Sequence, residues 1–371
     1  MTEGTGAPPQ AAANAPALSP SRRSLAVAAV LFAVITAAAL TWAKWWPYVH
    51  KTVKVLRTHA LSGSSSVTGG ARTAPPPSWH SAWTFADSYF HSIWIALVAA
   101  LIIASAVEAL VPRDWLVRQL ARGPRWLGGS AAGGLLSVPS MMCTCCTAPL
   151  TVTLRRRGVS GGSALAYWVG NPTLNPAVLV FMAVVLPWQW AAVRIAGGLL
   201  LVFVVTAVVA RLGGDRLARP PLPVPDPTAS PEPMSPAAAG RRFAVTLGRL
   251  SVTLIPEYAV IVLALGAVRG WLFPLGGQLA AWGVLAVVVF AIAGTLFVIP
   301  TAGEIPIIQG LLAAGLGAGS VGALLITLPA VSLPSLAMVG RSFSYRTLAA
   351  LAGAVAVLGI ASGAVLALIG H

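Results

Sequence analysis

The sequence predicts an all-α polytopic membrane protein: an inverted-topology repeat of helical spans with two re-entrant or broken helical hairpins, plus one extra span at the N-terminus. Three observations predict it, namely an apolar composition, a gapless internal repeat and the placing of the arginine clusters. Hydrophobic residues fill 57% of the 371 positions and charged residues 9%, with a mean hydropathy of +0.82. A soluble globular domain carries about 25% charged residues. The formal charge of +15 resembles a nucleic-acid footprint only in its sum, because the arginines fall in short clusters between apolar runs. That is the pattern of cytoplasmic membrane loops, so the bilayer is an expected partner and nucleic acid is not.

Residues 1–20 are rich in Ala, Pro and Ser and bury too little apolar surface to order themselves, which predicts a disordered tail. Arg22 and Arg23 precede an apolar run, and residues 21–43 read as a first transmembrane helix. The run is longer than a signal-peptide core and has no obvious small-x-small cleavage site. Residues 44–88 are mixed, carry Trp45, Trp46 and the triplet Pro75 to Pro77, and read as an external loop with aromatic interface anchors. A first repeat over 89–210 and a second over 250–371 flank a proline-rich linker, 211–249, expected on the cytoplasmic side. The apolar runs inside the repeats, 89–111, 127–154, 163–186 and 190–210, then 250–270, 278–312, 319–339 and 348–369, are spans or hairpins of about the length that roughly 30 Å of hydrocarbon requires.

The two halves match without gaps at an offset of 157 residues: Pro149 with Pro306, Gly158 with Gly315, Gly162 with Gly319, Ser163 with Ser320 and Pro172 with Pro329. Chance produces Gly and Leu matches in apolar sequence, but not this register of prolines and glycines. Orientation follows from charge. With Arg22 and Arg23 inside, the chain returns at Arg113, Arg118, Arg122 and Arg125, and the segment 127–154 ends at Arg155, Arg156 and Arg157, which should also stay inside. Its arms are too short for two crossings, so a hairpin broken between Pro139 and Cys146 fits. The second half begins on the opposite side, and its hairpin ends at 315–319 without a positive charge. The halves are then inverted copies, an architecture that places binding sites near the midplane between broken helices. Lys44, Lys51, Lys54 and Arg57 fall outside and run against the rule, in a segment long enough to weaken it.

The inverted repeat brings two tips into apposition. The first, Met141 to Leu150, holds every cysteine in the chain, Cys143, Cys145 and Cys146; the second, residues 300–306, reads PTAGEIP and holds Glu304. Thiols select soft, thiophilic species over hard cations. Three within four residues beside a proline-broken segment read as ligands, with buried packing as the bland alternative. A carboxylate inside a span costs roughly 2.5–3.5 kcal/mol on insertion scales and often relays protons, which makes Glu304 the proton-coupling candidate. Its bland alternative is a carboxyl hydrogen-bonded at the helix break. Glu108 and Glu257 lie near arginines and read as interfacial. Asn171 and Asn175, in GNPTLNP, either cap a broken helix or line a polar pathway. No phosphate-binding GxxxxGK[ST] signature occurs, so secondary transport is the expectation, with no cofactor and no enzymatic activity. A membrane thiol oxidoreductase and a channel or structural protein with inert cysteines are the alternatives.

The stretch VPSMMCTCCTAPLTVTLRRRGVSGGSALAYWVGNP, from Val138 to Pro172, resembles the signature of the ArsP-type predicted permeases. That signature is Cys-Ser/Thr-Cys, three residues, Pro, then a basic turn with Gly and a second Pro. The flanking ALVAALIIASAVEALVP and GLLAAGLGAGSVGALLITLP are similar to the same family's segments, and the resemblance runs from Tyr89 to Ile369. It implies a multi-pass plasma-membrane permease that exports trivalent organoarsenicals or a related small thiophilic solute, while the cytoplasmic N-terminus follows from the arginine clusters. Cys143, Cys145 and Pro149 occupy the motif positions, and Cys143 and Cys145 are the implied thiol ligands for a soft metal species. Cys146 is additional, Thr144 stands for the commoner serine, and Gly170-Asn171-Pro172 stands for Ala-Thr-Pro.

Overall fold

The structure is a computed structural model that describes residues 22–59, 76–122, 127, 129–213, 236–272, 283–313 and 315–369. The expected N-terminal tail lies outside the described residues. Every regular element among the described residues is helical. The order is α1 (Arg22–Leu40), a π-helical turn (Thr41–Trp45), α2 (Trp46–Thr58), α3 (Trp79–Leu110), α4 (Arg113–Leu120), α5 (Ser130–Ser137), a 3-10 turn (Val138–Ser140), α6 (Thr144–Arg156), α7 (Gly161–Thr173) and α8 (Pro176–Val185). It continues with α9 (Trp188–Leu199), a second π-helical turn (Leu200–Val205), α10 (Thr206–Gly213), α11 (Pro236–Leu272), α12 (Val284–Leu296), α13 (Glu304–Ala313), α14 (Ala318–Ala330), α15 (Leu333–Val339) and α16 (Tyr345–Ile369). Among the described residues, seven helical stretches are long and apolar enough to cross a membrane, and the protein is a multi-pass membrane protein.

The offset of 157 residues recurs in the element boundaries. α3 starts at Trp79 and α11 at Pro236; α7 spans Gly161–Thr173 and α14 Ala318–Ala330; α8 and α15 start at Pro176 and Leu333; α9 and α16 at Trp188 and Tyr345. Proline and capping residues set these edges. Asn175 accepts hydrogen bonds from Ala177 N and Val178 N at the start of α8, and Ser332 with Ser335 forms a capping box at the start of α15. Both hairpins break as the short arms require: α5 gives way to α6 through residues 138–143, and α12 to α13 through 297–303. Met141 and Ala302 hold left-handed backbone at these breaks.

The equivalent helices α3 and α11 pack against each other and run antiparallel. Ser81 Oγ donates to Gly266 O at one end, Tyr258 Oη donates to Tyr89 Oη further along, and Ala109 clusters with Ala239 at the other end. Two copies that meet head to tail through the same helix are related by a two-fold axis perpendicular to it, as an inverted repeat demands. Within each repeat the first hairpin arm packs on the following helix at glycine contacts with exchanged roles. A Cβ on Gly170 of α7 would meet Ser137 Oγ of α5 at 2.4 Å, whereas in the second repeat the glycine is Gly294 of α12 and the hydroxyl Thr327 of α14, at 2.2 Å. Gly133 is tighter, since a Cβ there would lie 2.0 Å from the backbone oxygen of Ser163, which cannot rotate away. Gly133→Val is therefore expected to destabilise the protein by about 2–3 kcal/mol. Gly248→Ala, with open space around it, should be neutral or stabilising by about 0.5–1 kcal/mol. Unfolding midpoints of the two variants in detergent check the contrast.

Two expected boundaries need correction. Residues 44–88 do not form a loop over their whole length, because helix runs unbroken from Arg22 to Thr58 and α3 begins at Trp79. Lys44, Tyr48, Lys51 and Val55 share one helical face and turn inward, an amphipathic pattern that a solvated loop would not show. The linker 211–249 is helical from Pro236 onward, where proline at the first position and three alanines favour helix, and at its start α10 extends to Gly213. The remainder of the linker lies outside the described residues.

Candidate functional site

The two broken hairpins meet at one buried cleft. Cys143, Thr144 and Pro172 from the first repeat line it together with Thr301, Glu304 and Pro329 from the second. Thr144 and Thr301 are equivalent under the offset, as are Pro172 and Pro329, so the cleft lies on the pseudo-two-fold axis. α6 begins at Thr144 and α13 at Glu304, so two half-helix N-termini, each the positive end of a dipole, open onto it.

Each thiol has its own surroundings. Cys143 is the N-cap of α6, and its sulfur lies 3.2 Å from that of Cys146, one turn later. All three cysteines are free and buried. Cys145 lies 3.6 Å from Tyr89 Oη and 3.7 Å from Ser332 Oγ. Tyr258 donates to Tyr89 at 2.8 Å, and Ser332 lies 3.3 Å from Thr144 Oγ1 and 3.0 Å from Ser335 Oγ. Residues of both repeats thus bracket Cys145 with hydroxyls. Trp168 Nε1 donates to Thr144 O at 3.1 Å and fixes the first turn of α6. Among the described residues no cluster of three or more His, Cys, Asp or Glu side chains is arranged to hold a metal ion. Cys143 and Cys146 offer a close sulfur pair, and Cys145 adds a third thiol beside Cys143.

Glu304 lines the cleft and is 2% exposed. Its Oε1 lies 3.1 Å from Nη2 of Arg194, a fully buried arginine on α9. Arg194 also donates through Nε to Thr173 O at 3.0 Å, through Nη2 to Pro172 O at 2.8 Å, and through Nη1 to Leu325 O. Two of these carbonyls lie four residues before prolines, Pro172 before Pro176 and Leu325 before Pro329, and have no helical N–H to accept. One guanidinium therefore joins the broken helices of both repeats and balances the buried carboxylate. Among the described residues, Glu304 is held by the arginine.

The remaining sequence candidates sit around the cleft, outside its lining. Asn171 Oδ1 accepts from Met142 N at 3.3 Å and its Nδ2 donates to Tyr167 O at 2.8 Å, tying α7 to the first tip. Asn175 caps α8. Pro149 is buried inside α6, where it removes an N–H from the helical ladder. Glu108 pairs with Arg157 at 3.9 Å and Glu257 with Arg341, both partly exposed, as interfacial acids should.

Sequence reasoning missed Arg194 and Lys44. Arg194 is the one charged residue in the run 190–210, and a charge inside a span signals a function or a partner whatever its sign. Lys44 is 7% exposed and donates from Nζ to Thr301 Oγ1 at 3.2 Å, while its neighbour Trp45 donates from Nε1 to Pro139 O at 2.8 Å. The extra helix thereby touches both tips. The spacing of Lys44, Tyr48, Lys51 and Val55 at i, i+4, i+7 and i+11 was the readable signal.

The profile of the ArsP_1 family, described as predicted permease, matches residues 78–368. UPF0718 protein YraQ of Escherichia coli (strain K12) is 41% identical over 336 residues, which cover 90% of this chain and 93% of that protein. UPF0718 protein MJ0584 of Methanocaldococcus jannaschii (strain ATCC 43067 / DSM 2661 / JAL-1 / JCM 10045 / NBRC 100440) is 23% identical over 104 residues, 27% of each chain. No solved structure matches the chain. The α1–α2 helix precedes the matched region, whereas both repeats and the cleft between their tips fall within it. With a match of that extent, the chain belongs to the ArsP_1 family of predicted permeases and is a membrane transporter.

Proposed function

We propose that the chain is a secondary permease of the plasma membrane that exports a small thiophilic solute, such as a trivalent organoarsenical or a soft metal species, by alternating access coupled to protons. The observation that carries this reading is the convergence of Cys143 and Glu304, from opposite repeats, on one cleft on the pseudo-two-fold axis. The 3.2 Å approach of Cys143 to Cys146 supplies a dithiol to a centre that takes two sulfur ligands, with Cys145 as the third thiol. Soft centres bind thiolates, so loading releases thiol protons. Release on the far side must return protons to the sulfurs, and Glu304, parted from Arg194 by movement of the second tip, is the carboxylate that takes up and relays them. The N-terminus is assigned to the cytoplasm on the strength of the arginine clusters, which puts Arg155 to Arg157 and Arg341 inside.

Inside-out vesicles containing the protein are expected to accumulate a trivalent phenylarsenical and not its pentavalent form, in a manner that responds to an imposed proton gradient. Glu304→Gln should lower the gradient response about tenfold or more. Retention of the full response in that variant removes Glu304 from coupling, and equal handling of both oxidation states removes the thiophilic substrate.

The closeness of Cys143 and Cys146 favours one second reading, a dithiol oxidised to a disulfide while a quinone or peroxide takes up the electron pair and both protons. Intact-mass measurement during transport separates the two, because a permease cycle leaves the thiols reduced.

A further inference from the structure

Beside the thiols lies a set of buried groups that donate hydrogen bonds and carry no negative charge. Lys44 is nine-tenths buried, and among the described residues no carboxylate lies within ion-pair distance of its ammonium, whose contact is the hydroxyl of Thr301. A lysine so deep in a membrane span is costly unless a counter-charge meets it. Tyr48, one turn on, sits beneath the ammonium with its ring centroid 5.5 Å away, and its buried Oη, beside Thr301 and Asn175, makes no well-formed hydrogen bond among the described residues. Asn175 is fully buried; its Oδ1 is used in capping α8, and its Nδ2 has no acceptor among the described residues. Lys51 adds a second cation on the same face, over the ring of Phe181. The one acid of the cleft, Glu304, is balanced by Arg194.

The placement is built rather than incidental. Lys44 lies in the π-helical turn Thr41–Trp45, whose extra residue re-aims the side chains of α1–α2, and such turns recur at functional sites. Thr301 lies three residues before the start of α13, so that helix N-terminus adds positive potential near the same spot. Ammonium, amide N–H, two hydroxyls and a helix N-terminus together select a group that only accepts hydrogen bonds and is negatively charged. Thr301 lines the cleft that Cys143 lines, and Lys44 is within electrostatic reach of Cys143 and Cys146.

We propose that Lys44, Tyr48, Asn175 and Thr301 form an anion subsite adjoining the thiols, so that the solute carries a carboxylate or comparable oxyanion next to its thiophilic centre. The proposal deepens the permease reading and rests on it for the thiol half of the ligand. In the full-length protein, protection of the cysteines from maleimide alkylation by phenylarsenous acid is compared with protection by its 4-carboxy derivative. The wild type is expected to be half-protected at about tenfold lower concentration of the carboxylated compound. Lys44→Met should bring the ratio to within about twofold of unity, and Lys44→Arg should keep most of the preference. Equal protection by both compounds in the wild type, or a Lys44→Met loss that is the same for both, overturns the subsite. If neither compound protects any thiol, the thiophilic reading fails by itself, and the subsite is then judged by benzoate. Thermal stabilisation by benzoate that Lys44→Met abolishes supports it, and no stabilisation in the wild type refutes it.

Discussion

Replacing Arg194 with methionine is expected to cost about 3–5 kcal/mol of stability, the magnitude seen when one partner of a buried ion pair is removed. The guanidinium is fully buried and does two jobs at once. It balances Glu304 at 3.1 Å, and it donates to Pro172 O, Thr173 O and Leu325 O, of which the first and last have no helical donor because prolines follow four residues later. Methionine fills a similar volume but leaves the carboxylate unpaired and the carbonyls unsatisfied, each of the latter costing about 1–3 kcal/mol when no solvent replaces the bond. The unfolding midpoint in detergent should fall sharply for Arg194→Met. It should recover in part for Arg194→Met with Glu304→Gln, where the stranded charge is gone and the orphaned carbonyls remain. A single variant as stable as the wild type would show that Arg194 is not the pin between the repeats.

How much of this was legible in the sequence depended on what each residue type is free to do. Prolines and glycines constrain backbone wherever they stand, so the offset that aligned Pro149 with Pro306 and Pro172 with Pro329 carried through to helix boundaries spaced by the same interval. The breaks at the two tips were legible for the same reason: arms of this length cannot cross a bilayer and return. Charge was harder to read. The lysines after Trp42 looked like a solvated loop because a count of polar residues ignores their spacing, whereas the helix turns Lys44 and Lys51 to one inner face. The extra helix has no copy at the repeat offset, so nothing in the duplication pointed to its place beside both tips. Arg194 has the same history. Leu351 occupies its equivalent position, and two of the backbone carbonyls that Arg194 binds are freed by prolines on other helices, a relation that exists only after folding. Among the cysteines, family resemblance pointed to Cys143 with Cys145, and helical geometry, which places residues three apart side by side, also brings the sulfur of Cys146 to within 3.2 Å of that of Cys143.

The same geometry makes Cys143→Ser the substitution with the largest expected effect on transport. Cys143 caps α6, lines the cleft and holds its sulfur against that of Cys146. Serine preserves the capping position and the hydrogen-bonding capacity of the side chain, so the fold should stand, while the soft donor is lost. Export of a trivalent arsenical should fall by about a hundredfold, the upper end of what loss of a ligand-orienting group produces at a soft-centre site. Cys145→Ser removes the third thiol but leaves the Cys143–Cys146 pair, and its loss should be smaller. The order of the two variants distinguishes a dithiol made by the outer cysteines from the Cys143–Cys145 pair implied by family resemblance.

The central claim, that the solute is held by sulfur at the meeting point of the two hairpins, is tested most directly by accumulation of a trivalent phenylarsenical in inside-out vesicles containing wild type, Cys143→Ser or Cys145→Ser. The account predicts transport by the wild type, near abolition in Cys143→Ser and a partial loss in Cys145→Ser, with all three proteins folded and equally abundant. Undiminished transport by the Cys143→Ser protein would contradict it.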